Sequence, residues 1–375
     1  MTAAGVHAPT PTPEDAATMV KARARELGFS AVGIASVEDG IAEDFARYRA
    51  ALDAGLHGPI EYLARNVDVR GRVDAPGILA GAKSVIVVAA RYDRRDEEGD
   101  PPVARAIARY ARGRDYHNHL RKKLRALART VRALGENVEA RPTSDTAPIL
   151  EKAWAARAGV GFFAKNGLVI VPGEGSFVLL GEVVTTLALP ADTPIEERCG
   201  RCTLCLDACP TRAFVRPFVL DAGRCVATMT IELRGPVPDE LREATGEHLF
   251  GCDVCQDVCP HNHARRPAPP LADRYRPHAR WSEVTIEDLA RVGMVGGPDF
   301  AEATEGSPVR RAGVEGLARN ACLVLGRERR VAALAVLEDV AARHPSDVVR
   351  DAARWAIDRI ARRDAKATMC LARSS

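Results

Sequence analysis

Eight of the ten cysteines in this 375-residue chain form one pattern. Cys199, Cys202, Cys205 and Cys209 are spaced C-x2-C-x2-C-x3-C and followed by Pro210. Cys252, Cys255 and Cys259 are spaced C-x2-C-x3-C and followed by Pro260, while Cys225 lies alone between the two blocks. Clustered thiols in a reducing compartment bind metal or perform redox chemistry. Zinc is the rival reading, since C-x2-C pairs also build tetrahedral zinc sites. Three cysteines at successive x2 spacings, a fourth at x3 and then proline is instead an iron–sulfur run.

In two-cluster bacterial ferredoxins the cysteine before the proline ligates the other cluster. By that rule Cys199, Cys202, Cys205 and Cys259 hold one 4Fe–4S cluster. Cys209, Cys225, Cys252 and Cys255 hold the second, with Cys225 the nearby thiol able to complete the set. Cys322 and Cys370 fall outside the pattern and read as ordinary residues. Two clusters conduct electrons but perform no reaction, so other residues must hold whatever receives them.

The elements that would position such a centre alternate in type. Thr12-Pro13-Glu14-Asp15 opens a helix, with Ala17, Val20, Ala24 and Leu27 apolar and Gly28 as its stop. Strands are expected at 29–35, 84–90, 167–171 and 176–185, and helices at 116–134 and from Thr146 to Arg157. This pattern gives an α/β domain over 14–190 behind a disordered 1–13. The cluster segment covers 191–263, and the Pro- and Arg-rich 264–280 is a linker or wrapping loop. Residues 281–375 turn helical. One helix starts at Ser307-Pro308, with Val314, Leu317, Ala321 and Leu325 on one face and Gly326 as its stop. Val331, Leu334, Leu337 and Ala341 mark a second, and Ser346 caps a third. Such a succession reads as HEAT-type repeats or as a plain helical cap.

At 46% hydrophobic and 27% charged residues, the composition is that of a globular protein with a sizeable core. The first fifteen residues show no export signal, and the apolar stretch 176–190 is broken by Glu182 and too short for a bilayer. The expectation is a cytoplasmic protein with no membrane partner. The net charge of +3 is unevenly spread: Arg105 to Arg132 holds ten Lys/Arg and one acid, Asp115. That stripe suits RNA, and equally a solvated helix face.

Six stretches taken in order resemble the epoxyqueuosine reductases over nearly the whole chain: 109–124, 145–170, 175–183, the first cysteine block, 220–235 and 251–262. The resemblance implies a cobalamin-binding α/β domain, a ferredoxin-like two-cluster domain and terminal HEAT-like helices. It implies cobalamin between the first two, and reduction of epoxyqueuosine at the tRNA wobble position to queuosine by two electrons and two protons. An external electron donor and a monomeric chain complete the expectation. The chain departs from the family pattern at 226–232, where Tyr and Ser are common, and at His261, where Trp is common.

Asp145, in DTAPILE, reads alone as a helix N-cap. It matches the family's catalytic proton donor, and a carboxyl beside an apolar corrin would tend to stay protonated. Tyr110, Asp115, His117, Lys165, Asn166, Ser176 and Asp253 are the cofactor-side residues implied by the resemblance. Asp115, Tyr116 and His117 match no standard ligand spacing, and suit positioning better than cobalt ligation. Lys165 and Asn166 suit a polar contact or a plain turn, and Asp253 and Gln256 a cofactor contact or a cap of the cluster loops. A corrinoid reductive dehalogenase is the alternative enzyme, and a noncatalytic electron carrier the alternative class.

Overall fold

The computed structural model describes residues 11–94, 97–263, 267 and 272–372. The disorder expected before Pro13 falls mainly on residues outside this set. Thr12 caps the first helix, Pro13–Glu26, its hydroxyl accepting from the Asp15 N–H at 3.1 Å.

Six strands carry the first half: β1 (Ala31–Ser36), β2 (Ser84–Arg91), β3 (Ala140–Thr143), β4 (Phe162–Phe163), β5 (Val169–Ile170) and β6 (Val178–Thr185). The main sheet runs β1-β2-β6-β3 with every neighbour antiparallel, and β4 pairs with β5 separately. β2 is buried along its whole length, as a central strand covered on both faces must be. Its side chains divide by parity. Ile86, Val88 and Ala90 pack with Leu120, Leu124, Leu127 and Val131 of the Tyr116–Arg132 helix. Val85, Val87 and Ala89 pack with Ala153 and Trp154 on the opposite face. Each large apolar side chain fully buried this way contributes about 1.5–3 kcal/mol. Gly181 of β6 lets the Tyr116–Arg132 helix come close, since a Cβ there would stand 2.8 Å from Leu124.

One expected boundary is corrected. The helix expected from Thr146 begins at Glu151 and ends at Arg157. Pro148 disfavours helical backbone at Ala147, and Asp145 sits in the left-handed region at φ 59. Asp145 therefore caps nothing: Leu150 is the N-cap and supplies no side-chain bond.

The cluster segment and the carboxyl-terminal helices share one core containing Ile107, Met229, Leu241, Phe250, Trp281 and Leu317. Residues 316–326 of the Gly313–Arg327 helix are all buried, packed against Asp347–Ala372 and Ile286–Ala290, and Leu334–Arg343 packs on Asp347–Ala372 in turn. Gly326 does not stop that helix as expected. It lies inside it because a Cβ would meet Ala356 at 2.6 Å. Ser307-Pro308 opens a short 3-10 turn, Pro308–Ala312, before the helix. Val314 and Val331, expected on apolar faces, are exposed. Arg319 ties the helix to the cluster segment, donating to the carbonyls of Met229, Leu233 and Gly235 at 2.6, 3.1 and 2.6 Å. Within the expected linker, Tyr275 is buried, and Trp281 just beyond it donates to the Arg112 carbonyl at 2.8 Å, so residues 275–281 wrap the core. Cys322 is buried in the helical core, and the Cys370 side chain lies outside those described.

Candidate active site

All nine described cysteines are free thiols. Cys199, Cys202, Cys205 and Cys259 line one cavity of about 250 Å³, together with Lys165 and Asn166. Among the described residues, no three His, Cys, Asp or Glu side chains converge closely enough to hold one metal ion. Four thiols around a cavity fit a cluster better than a single zinc ion.

The thiols also sense one another in two sets. Cys259 raises Cys199 and Cys205, and Cys202 raises Cys205 and Cys259. Cys209 raises Cys225 and Cys252, while Cys225 raises Cys252 and Cys255. The sets approach where Cys205 raises Cys255. Burial is the largest cause of each shift and pushes Cys199 to about 11 and Cys252 to about 12. Such thiols stay protonated until a cationic core displaces the protons, so they are ill suited to nucleophilic redox catalysis. Backbone N–H groups wait around the sulfurs: those of Ala227 and Thr228 at Cys225, Val254 at Cys252, and His261 and Asn262 at Cys259. Hydrogen bonds of this kind tune cluster potential.

Polar residues join the cluster segment to the α/β part. The Lys165 ammonium donates to the carbonyls of Gly200 and Cys202 at 2.5 and 3.0 Å. Asn166 donates to the Cys255 carbonyl at 3.3 Å. The Ser176 N–H donates to Asn262 at 2.8 Å, and its hydroxyl donates to Gln256 at 3.1 Å. Asp253 is buried and accepts from the Arg109 N–H at 2.8 Å. Burial raises its pKa against the pull of Arg109. Four of the seven expected cofactor-side residues thus hold the two parts together. Tyr110 sits at the same junction, edge-on to Tyr116 at 5.9 Å and tilted against Phe250 at 6.3 Å.

The carboxyl side is built around His117. Asp115 caps the Tyr116–Arg132 helix by accepting from the His117 N–H. Its carboxylate also meets His117 Nδ1 at 2.7 Å, and His117 Nε2 meets Asp145 at 3.0 Å. Hydrogen bonds to Asp115 and then Asp145 raise the His117 pKa to about 9. The same His117 bond is the largest influence on Asp145 and lowers its pKa. Within the polypeptide alone burial does not keep Asp145 protonated; the expectation concerns a carboxyl beside a bound corrin. At neutral pH the pair is imidazolium and carboxylate, because the neighbouring charge outweighs burial.

Sequence reasoning missed several cleft residues. Arg311 stands 5.4 Å over the Tyr62 ring, pairs with Glu232 at 2.6 Å, and lowers the Asp145 pKa. No motif marks Tyr62 or Arg311, whereas Glu232 ends the 226–232 stretch where the chain departs from the family pattern. Glu151 accepts the Asp145 N–H, and Glu182 is fully buried behind it. A lone acid in an otherwise apolar strand was a usable signal for Glu182. Beside Asp145, a cavity of about 320 Å³ is lined by His117, Arg121, Arg125, Arg141 and Ser144. Lys152 donates to the Gly167 carbonyl at 2.7 Å and feels the charges of Glu151, Cys225 and Cys255.

This arrangement, thiol sets wired to a cleft that holds a proton, is that of an iron–sulfur oxidoreductase. A model described as a 4Fe-4S double cluster binding domain matches residues 198–262, and one described as epoxyqueuosine reductase QueG matches 72–146. The epoxyqueuosine reductase of Pseudomonas aeruginosa is 40% identical over 362 residues, covering 93% of this chain and 96% of that one. A crystal structure of epoxyqueuosine reductase with an epoxyqueuosine-modified tRNA-Tyr stem loop aligns at a TM-score of 0.82 and 30% identity, over 93% of this chain and 91% of that one. A Bacillus subtilis epoxyqueuosine reductase structure, described with its catalytic aspartate loop swung out of the active site, aligns at 0.81 and 30% over the same shares. The chain belongs to the epoxyqueuosine reductase family. Among the described residues, no helix is long and apolar enough to cross a membrane.

Proposed function

We propose that this enzyme reduces the epoxide of epoxyqueuosine in tRNA to give queuosine. In that reaction both epoxide C–O bonds break, two electrons and two protons enter, a C=C bond forms and water leaves. The carrying observation is that Lys152 feels the charges of the thiols Cys225 and Cys255 and also that of Glu151, whose carboxylate accepts the Asp145 N–H. Electron supply and proton supply thus border one cleft, which a noncatalytic electron carrier would not need.

The crossed ligation, with Cys199, Cys202, Cys205 and Cys259 on one cluster and Cys209, Cys225, Cys252 and Cys255 on the other, is supported by the two sets of mutually sensing thiols. When bound, the clusters supply single electrons from an external donor, and a cobalamin in the cleft supplies a metal that can deliver them as a pair. The side chains fit such a group by their chemistry: Tyr110 offers a ring to a macrocycle, and Glu151 and Lys152, both accessible, offer polar partners to its amide arms. Tyr110, Asp115, His117 and Asp145 would border that group from the α/β side. Lys165, Asn166, Ser176 and Asp253 would fix the cluster segment against it.

Asp145 and His117 hold one proton between them at neutral pH and deliver it to the oxygen that leaves. Excluding bulk water from the cleft would strengthen the imidazolium's pull on that oxygen. The basic face of the Tyr116–Arg132 helix, with exposed Arg121, Lys122, Arg125 and Arg129, would position the anticodon arm through phosphates. The domain limits follow this division: 14–190 for cobalamin, 191–263 for the clusters, 264–280 as the wrap and 281–375 as HEAT-like helices beside the RNA. The test is mass analysis of tRNA nucleosides after anaerobic incubation with protein, cobalamin and a reductant. Queuosine should replace epoxyqueuosine; an unchanged nucleoside profile with both clusters loaded would refute the activity.

A further inference from the structure

Glu182 projects from β6 on the same side as Val184, opposite Val87 of β2 and Thr143 of β3. It is fully buried, and its Oε2 accepts the Thr143 hydroxyl at 3.0 Å. Its Oε1 meets no donor. What stands beside it is the Glu151 carboxyl, from the first turn of the Glu151–Arg157 helix. Two carboxyls in contact, one of them fully buried, do not both ionise readily, and a proton between them satisfies the otherwise orphaned oxygen. Glu151 Oε1 accepts the Asp145 N–H. Asp145 is a non-glycine residue in the left-handed region, a backbone state that persists only when its surroundings hold it.

We infer that Glu151 and Glu182 share one proton and together act as a latch on the Asp145 loop, Glu151 being the positioning residue and Glu182 the group that holds it in place. The inference rests on the reductase reading only for what Asp145 does; the latch itself is a property of the cofactor-free chain. Asp145, Lys152 and Tyr116 face Glu151, and Asp145 also faces Glu182. Thr143 contributes a hydroxyl and β2 contributes Val87, which has no charge. Lys152 is anchored to the Gly167 carbonyl at 2.7 Å and does not bridge the pair. Losing the shared proton leaves two charges in contact, so Glu151 is driven off and the Asp145 N–H is released at alkaline pH.

Amide hydrogen exchange of the 144–150 segment in the cofactor-free full-length protein reads the latch directly, corrected for intrinsic rates. Glu151→Ala should speed exchange at Asp145 by about 5- to 10-fold, the worth of one hydrogen bond. Glu151→Gln, whose amide oxygen still accepts that N–H, should restore protection. Wild type should lose protection as pH rises, while Glu182→Gln, which cannot ionise and can donate to Glu151, should keep it. In the loaded enzyme Glu151→Ala should lower kcat by about 10- to 100-fold through misplacement of Asp145, with KM little changed. Wild-type exchange in Glu151→Ala, or an unaltered pH dependence in Glu182→Gln, overturns the latch. If the exchange results hold but wild type reduces no epoxyqueuosine, the activity assignment fails and the latch stands.

Discussion

Between residues 199 and 259, burial outweighs the backbone N–H groups that oppose it at Cys225, Cys252 and Cys259, and Cys252 is driven to about 12. At His117 and Asp145 burial is answered by pairing: His117 is raised to about 9 and Asp145 is lowered because each faces an opposite charge. The first region is incomplete without a bound cationic core. The second holds its proton unaided. One cleft therefore joins a part that depends on its cofactor to a part that is already set by the polypeptide, and substitutions should separate the two.

The largest effect is expected at Asp145. Asp145→Asn keeps the side chain's size but removes the carboxylate that shares a proton with His117. A positioned acid contributes about 10²–10⁴-fold, so turnover should fall by that order while iron content and cobalamin absorption stay at wild-type levels. Single-turnover nucleoside analysis measures the first, and ultraviolet–visible spectra the second. Equal turnover would move the acid elsewhere and break the division between the regions.

Cys225→Ala probes the opposite side. If Cys225 completes the second set, iron should drop from about eight to about four per chain, with the other cluster retained. Iron and sulfide assays after anaerobic reconstitution read this outcome. Full loading would mean that the crossed ligation is wrong.

Those two regions also differed in how far the sequence disclosed them. Cluster ligands lie within a few residues of one another because a small cube must be wrapped by a short loop, so spacing alone names them. The α/β layer was legible too, since Val20, Ile86 and Leu124 follow the periods of helix and strand. The cleft was not. Its Tyr62, His117, Asp145, Glu232 and Arg311 come from distant stretches, and only tertiary packing brings them together. The capping reading of Asp145 failed because Pro148 delays the helix to Glu151. Gly326 misled for a similar reason: a glycine required for close helix contact looks, in one dimension, like one that ends a helix.

A subtler change should come from Asp115→Asn. Asp115 is the larger cause of the raised His117 pKa. Raised in the folded state, the His117 charge contributes stability that is complete below about 6.5 and lost as pH rises through about 9. If activity needs the imidazolium, its alkaline limb should fall near pH 9 in wild type and move toward neutral pH in Asp115→Asn. Rate–pH profiles test this, and an unmoved limb would detach His117 from proton delivery.

The smallest effect concerns RNA, and the structure sharpens which residues to change. Lys123 belongs by sequence to the basic stripe, but its ammonium donates to the Leu27 carbonyl and burial lowers its pKa. Neutralising it would disturb packing as well as charge. Arg121, Lys122 and Arg125 are exposed on the outer face of the same helix, and Arg121 and Arg125 line the cavity beside Asp145. Replacing these three by Gln should weaken binding of the tRNA stem loop and flatten its salt dependence, by about 0.7 in log–log slope for every phosphate no longer neutralised. Stability and cluster loading should not change, because the apolar face of Leu120, Leu124 and Leu127 is untouched. An unchanged slope would reduce the stripe to a solvated helix face, and the RNA would then have to be held from the carboxyl-terminal helices alone.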